Sequence, residues 1–149
     1  MVRRSRRRAG QLAVVSLLRL VDLSLRHFTY RSVRRFLRAT SPSSVHAPGD
    51  FALACRFGRT VNVLAGRAGL EDSCLRRSLV TWWLLRWRGV ETEVRIGMKL
   101  GVDGVRAHAW LEQGGRPIND VDEIGRQYPI QYDDALNPKI EGASEWAPS

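Results

Sequence analysis

Cysteine, histidine and lysine are all scarce in this 149-residue chain, and each shortage narrows what the protein can be. Only Cys55 and Cys74 carry thiols. A disulfide-framed secreted domain normally shows an even set of four or more, so a reduced, cytoplasmic protein is expected. Only His27, His46 and His108 can supply an imidazole, which leaves few candidates for a general base. Lysine stands only at Lys99 and Lys139, a bias that base composition of the coding sequence accounts for without selection for guanidinium chemistry. Long apolar runs are missing too, since none approaches the roughly 20 residues that a membrane-spanning helix needs. The segment Met1–Leu25 imitates a secretion signal, with Arg3, Arg4, Arg6, Arg7 and Arg8 ahead of the apolar stretch Leu12–Leu18. Arg19 and Asp22 interrupt that stretch, and no small-residue cleavage site follows. No internal repeat or low-complexity tract appears, and no metal or cofactor is expected.

Arginine is the residue in excess, and its placement matters more than the formal net charge of +9. Met1–Arg38 holds eleven arginines against Asp22 alone. The remaining residues hold thirteen basic and fourteen acidic side chains, a net of −1. The basicity is therefore an N-terminal arm on a near-neutral body, which argues against a nucleic-acid binder. With 44% hydrophobic residues, the length suits a single core. The expected organisation is a basic amphipathic helix over residues 1–40, either packed on its own domain with a solvated basic face or docking a partner, a linker over 41–50 and a catalytic domain over 51–149.

Periodicity assigns the elements. Val14, Leu18, Val21, Leu25, Phe28 and Phe36 recur at helical spacing and predict one amphipathic helix from Leu12 to Leu37, with Arg26, Arg34, Arg35 and Arg38 on the opposite face. Thr40-Ser41-Pro42-Ser43-Ser44 should end it. A second helix is expected from Asp50, as N-cap, to Ala65, with Cys55 buried and unreactive among Ala52, Leu53 and Ala54. A third should run from about Cys74 to Arg88, capped by Asp72 or Ser73 and buried through Leu75, Leu79, Trp82, Trp83 and Trp87. After Gly89 the period becomes two. Val94, Ile96 and Met98 mark a strand, Gly101–Gly104 a turn, Val105–Glu112 a second strand, and Arg116–Val121 a third. Residues from Asp133 to Ser149 show no clear period. Helices followed by an antiparallel sheet make an α+β fold.

Thiol chemistry needs a thiolate at neutral pH, and the first turn of a helix favours one through its free N–H groups and dipole. Cys74 holds that position; Arg76 and Arg77 add positive charge beside it and Glu71 and Asp72 oppose them, so the helix end and a protonated histidine must tip the balance. His27 lies on the basic helix and His46 in the linker, whereas His108 stands on the less aliphatic face of a strand. Asp120 is twelve residues further on. A three-residue loop over Gln113–Gly115 would set Glu112 opposite Arg116 and His108 opposite Asp120, on one face. A two-residue Gly-Gly loop would pair Ala109 with Asp120 and turn the carboxylate away. From spacing alone, a catalytic Cys74–His108–Asp120 triad and a surface His/acid pair both remain open, and Trp110 reads as packing rather than a substrate platform. The Cys74 backbone N–H is a natural oxyanion donor; a second donor is not assignable, Gln11 and Asn62 being the only upstream amide side chains and Asn62 a weak choice.

The strings Cys74-Leu75-Arg76-Arg77-Ser78-Leu79, Leu84-Leu85-Arg86-Trp87-Arg88-Gly89-Val90, Ala107-His108-Ala109-Trp110-Leu111-Glu112 and Asn119-Asp120 resemble the leader peptidases of lasso peptide biosynthesis, over about Phe51–Ile130. Those enzymes are transglutaminase-like cysteine peptidases. The resemblance implies a papain-like or transglutaminase-like fold with Cys74, His108 and Asp120 as the catalytic residues. It also implies removal of the leader from a ribosomally made precursor, before an ATP-dependent cyclase closes the macrolactam. Some such peptidases carry a fused leader-binding domain at the N-terminus. Here the first forty or so residues read as a helix and a linker, so a stand-alone peptidase served by a separate leader-binding protein is expected. Acyl transfer to an amine by the same triad is the competing activity, and a basic binder of nucleic acid or anionic membrane is the non-enzymatic one.

Overall fold

The computed structural model describes residues 2–42, 51–132 and 138–139, without side chains for 2–7 and 138–139. Expectations for His46, for Asp50 as a cap, for most of the linker and for most of the tail after Asp133 lie outside the described residues. Helices come first: α1 (Val2–His27), α2 (Tyr30–Ala39), α3 (Phe51–Arg67) and α4 (Cys74–Arg86). Strands β1 (Glu93–Gly101), β2 (Gly104–Gln113) and β3 (Arg116–Pro117) follow, then α5 (Ile124–Gln127), β4 (Ile130–Tyr132) and β5 (Pro138–Lys139). The antiparallel sheet has the order β3-β2-β1-β4-β5.

The single helix expected over Leu12–Leu37 is two helices, because Thr29 breaks it. Thr29 is extended (φ −68°, ψ 153°) and its hydroxyl accepts the Ser32 N–H at 3.3 Å, an N-cap that satisfies one of the orphan donors of α2. The break rotates the second half of the apolar stripe off the core. Leu18 and Val21 are buried, but Phe28 and Phe36 are exposed, and α2 buries Val33 and Leu37 instead. Arg34 also leaves the expected solvated face and lies over the Trp82 ring, 5.5 Å from its centroid.

The core is held between the helices and the helix-facing side of β1 and β2. Leu18, Val61, Leu79, Val80, Leu85, Val94 and Leu111 pack together there, each aliphatic side chain stabilising the fold by about 1.5–3 kcal/mol. Trp87, expected to be inside, is half-exposed. Asp22, the one acid of α1, reaches Arg76 of α4 at 2.5 Å, and Arg76 NH2 donates to the Leu70 carbonyl at 2.9 Å. Arg76 is almost fully buried, so this pair ties α1 to the helix that begins at Cys74.

The other sheet face is covered as well. Trp110 is fully buried, its Nε1 donating to Glu112 at 2.7 Å, while Arg95 donates to the same carboxylate at 2.9 Å. The helix α5 and the strand β4, too short for periodicity to reveal, bring Tyr128 onto this face. No helix among the described residues is long and apolar enough to cross a membrane.

Candidate active site

Cys74 is the first residue of α4, and Ser73 is the cap, its hydroxyl accepting the Arg76 N–H at 3.2 Å. The sulfur accepts the Ala109 N–H of β2 at 3.3 Å. His108 precedes Ala109 on that strand, and its Nε2 donates to Asp120 Oδ2 at 2.5 Å. That bond occupies Nε2 and leaves Nδ1 for the thiol. The second carboxylate oxygen of Asp120 accepts the Val121 N–H at 2.9 Å. The His108 and Asp120 side chains are each about one-fifth exposed (20% and 21%), enough for solvent or substrate to reach them.

The electrostatics follow from these contacts. Burial pushes the Cys74 thiol up, but the hydrogen bond with His108 and the N–H groups of Ala109 and Leu75 outweigh it, and the thiol lies below its ordinary 9.0. His108 is raised from 6.5 to about 9, first by the Asp120 hydrogen bond and then by Cys74, against the effect of burial. Burial raises the Asp120 carboxyl, yet His108, the Val121 N–H and the Arg77 charge hold it below 3.8. Both shifts favour a thiolate facing an imidazolium over the neutral pair. Neither Arg76 nor Arg77 is among the groups that lower the thiol, which is held down by the histidine and backbone N–H groups. Arg76 is engaged by Asp22, and Arg77 acts on Asp120.

Asp120 reaches His108 by a route that strand register argued against. The hairpin loop is the two-residue Gly114-Gly115 turn, with Gln113 opposite Arg116 and Glu112 opposite Pro117. Both glycines have positive φ (57° and 78°), as a two-residue hairpin turn of this hand requires. Continued as a regular strand, that register would put Asp120 beside Ala109. The strand expected to run to Val121 ends instead at Pro117. The Ile118 N–H makes one more bond, to Leu111 O at 3.0 Å. The Leu111 N–H then bonds at 2.7 Å to the Asn119 side-chain oxygen, where the ladder would offer a backbone carbonyl. This substitution swings the backbone out of register and frees Asp120 to turn to His108.

Asn119 is clamped in turn. Its Nδ2 donates to Ser78 Oγ at 3.1 Å, Ser78 donates to Ala109 O at 3.1 Å, and Asn62 Nδ2 donates to Asn119 O at 3.1 Å. Asn62 thus spends one of its two amide hydrogens on this network. Gly58 lets the segment approach α3: a Cβ there would meet Asn119 Cβ and Ile118 O at 2.9 Å each. Tyr128 stacks on the His108 ring with centroids 5.3 Å apart and 24° between planes, fixing the ring from one side. Tyr128 carried no sequence signal, Ser78 stood only within the string that begins at Cys74, and Asn119 only beside Asp120. Trp110, fully buried, is packing.

His27 lies exposed at the end of α1, away from this cluster. Cys55 is a free, half-buried thiol on α3. Among the described residues no three His, Cys, Asp or Glu side chains gather into a metal site. No curated protein and no solved structure matches the chain. A family model does match, over residues 17–130, which takes in the end of α1, all of α2 and every residue of the Cys74 cluster. With helices leading into an antiparallel sheet, and a cysteine at a helix start against a strand histidine, the chain belongs to the transglutaminase-like superfamily.

Proposed function

We propose that this protein is a cysteine peptidase that removes the leader from a ribosomally synthesised lasso peptide precursor, with Cys74 as nucleophile, His108 as acid and base, and Asp120 as its orienting partner. The observation that carries this reading is the line Cys74–His108–Asp120, with the sulfur at a helix start and the 2.5 Å bond on the far side of the imidazole. Family membership supports cysteine-based acyl chemistry, and the motifs around Cys74, His108 and Asn119-Asp120 support the leader peptidase assignment.

The Cys74 thiolate adds to the scissile carbonyl, and the developing oxyanion is met by the first-turn N–H of Cys74, one such donor contributing about 3 kcal/mol. His108 gives its proton to the departing amine as the C–N bond breaks, leaving a thioester. Water then attacks the thioester while His108 takes its proton, releasing the leader as a free acid and restoring the thiol. Asp120 holds the ring and stabilises its charged form throughout. A separate leader-binding protein presents the precursor, and an ATP-dependent cyclase takes the freed amine.

Incubating the protein with a candidate precursor, with and without the leader-binding protein, and weighing the products tests this reading. One cut giving a free carboxylate, absent with Cys74→Ala, is expected. Cleavage that survives Cys74→Ala sinks the assignment. A product heavier than the hydrolytic one by an added amine, less water, would instead assign acyl transfer.

A further inference from the structure

The outer edge of β2 changes character along its length. Towards its end every outward group is satisfied: β3 pairs with Glu112 and Gln113, Ile118 and Asn119 complete Leu111, and Ala109 gives its N–H to the Cys74 sulfur and its carbonyl to Ser78. The groups of Ala109 and Leu111 point outward, so by the alternation of an antiparallel strand those of Ala107 and Val105 do too. On that side neither has a strand partner among the described residues. Both residues are exposed, Val105 by 65%. An open strand edge thus leads directly to the sulfur, which sits where a paired chain would meet Ala109.

We infer that this edge is the substrate's main-chain binding site: the peptide to be cleaved adds as an extended strand along Val105–Ala107, which delivers its next carbonyl to Cys74. The inference rests on the peptidase reading of Cys74. Strand addition fits because main-chain bonds give affinity without demanding particular side chains. The spacing fits as well. At about 3.4 Å per residue, a peptide anchored opposite Ala107 reaches the level of Ala109, and hence the sulfur, two residues on. Unpaired edges invite partners, and short charged or covered edges are the usual defence. On the outer side of β2, among the described residues, strand cover is missing just ahead of the nucleophile.

A covalent probe separates this inference from the reading beneath it. Acetyl-tetra-alanine vinyl sulfone carries no sequence information, and Cys74 bonds to its β-carbon while the α-carbon takes a proton. Its second-order rate with the whole protein is compared with those of methyl vinyl sulfone and of four analogues, each N-methylated at one alanine. The tetrapeptide should react at least tenfold faster than methyl vinyl sulfone. N-methylation should slow it roughly three- to tenfold at alternate positions only, the period of a strand with one side bonded. Ala107→Pro, which removes an edge N–H at a position where strands tolerate proline, should slow the tetrapeptide by a similar factor. Equal rates for all the N-methylated analogues, or no gain over methyl vinyl sulfone, overturns strand addition. Failure of iodoacetamide to alkylate Cys74 would overturn the thiol reading itself.

Discussion

Cys55 and Cys74 are the same residue on neighbouring helices, yet only Cys74 stands where a nucleophile would. Cys55 is inside α3, packed against the core, where helix N–H groups are spent on the preceding turn. Cys74 opens α4, where they are not, and it faces Ala109 N–H and His108. The difference teaches that position along a helix and the strand opposite set the two thiols apart, while burial does not: both are half-buried.

The largest effect should come from exchanging the roles. Cys74→Ala should reduce cleavage by roughly 10⁴-fold or more, whereas Cys55→Ala should leave it within about twofold. Product mass spectrometry checks both, and iodoacetamide at neutral pH should label Cys74 about tenfold faster than Cys55. Equal labelling would erase the contrast.

Next in size is Asp120→Asn, expected to lower turnover by roughly 10²- to 10⁴-fold. Its pH dependence sharpens the cause. Activity needs thiolate and imidazolium together, so it should rise as pH passes the lowered Cys74 value and fall through about 9, where His108 loses its proton. The Asp120 bond is the main reason that His108 sits so high, so Asp120→Asn should move the alkaline limb towards 6.5. An alkaline limb unmoved by this change would remove Asp120 from the imidazole.

Asn119→Ala should cost about 10- to 100-fold in turnover by misplacing Asp120. It should also destabilise by about 1–3 kcal/mol, since the Leu111 N–H loses its acceptor. An acidward shift of the same alkaline limb, smaller than for Asp120→Asn, would separate positioning from plain loss of stability. Gly58→Ala, read by thermal unfolding, should destabilise by about 1–3 kcal/mol, because its Cβ meets the backbone of Ile118.

The smallest effect is on stability against pH. His108 is raised on folding, so its contribution is complete below 6.5 and is lost as pH climbs through about 9. Asp120 is lowered on folding, so its contribution holds above 3.8 and is lost as pH falls below it. Melting temperature should therefore be highest between roughly pH 4 and 6.5, and Asp120→Asn should flatten that maximum.

Much of this was legible in local patterns. Leu75 and Leu79 marked α4, Val94 and Ile96 marked β1, and Asp72-Ser73 before Cys74 marked the helix start that matters for chemistry, with the structure choosing Ser73 as the cap. The break at Thr29 was legible only as a hydroxyl three residues before Ser32, a signal weaker than the apolar stripe running across it. Tyr128 could not be read at all, because α5 and β4 are too short to show a period and their placement depends on the sheet.

Residue order by itself determined the helix-then-sheet composition, the N-terminal charge, the helix start at Cys74 and the strand carrying His108, because each depends on neighbours a few positions apart. Tertiary structure alone decided that Asp120 meets His108. The Gly114-Gly115 turn sets a register that points the carboxylate away, and the contact forms because Asn119, clamped by Ser78 and Asn62 from two different helices, takes the place of a backbone acceptor. Those partners are distant in the chain, so no local pattern could announce them.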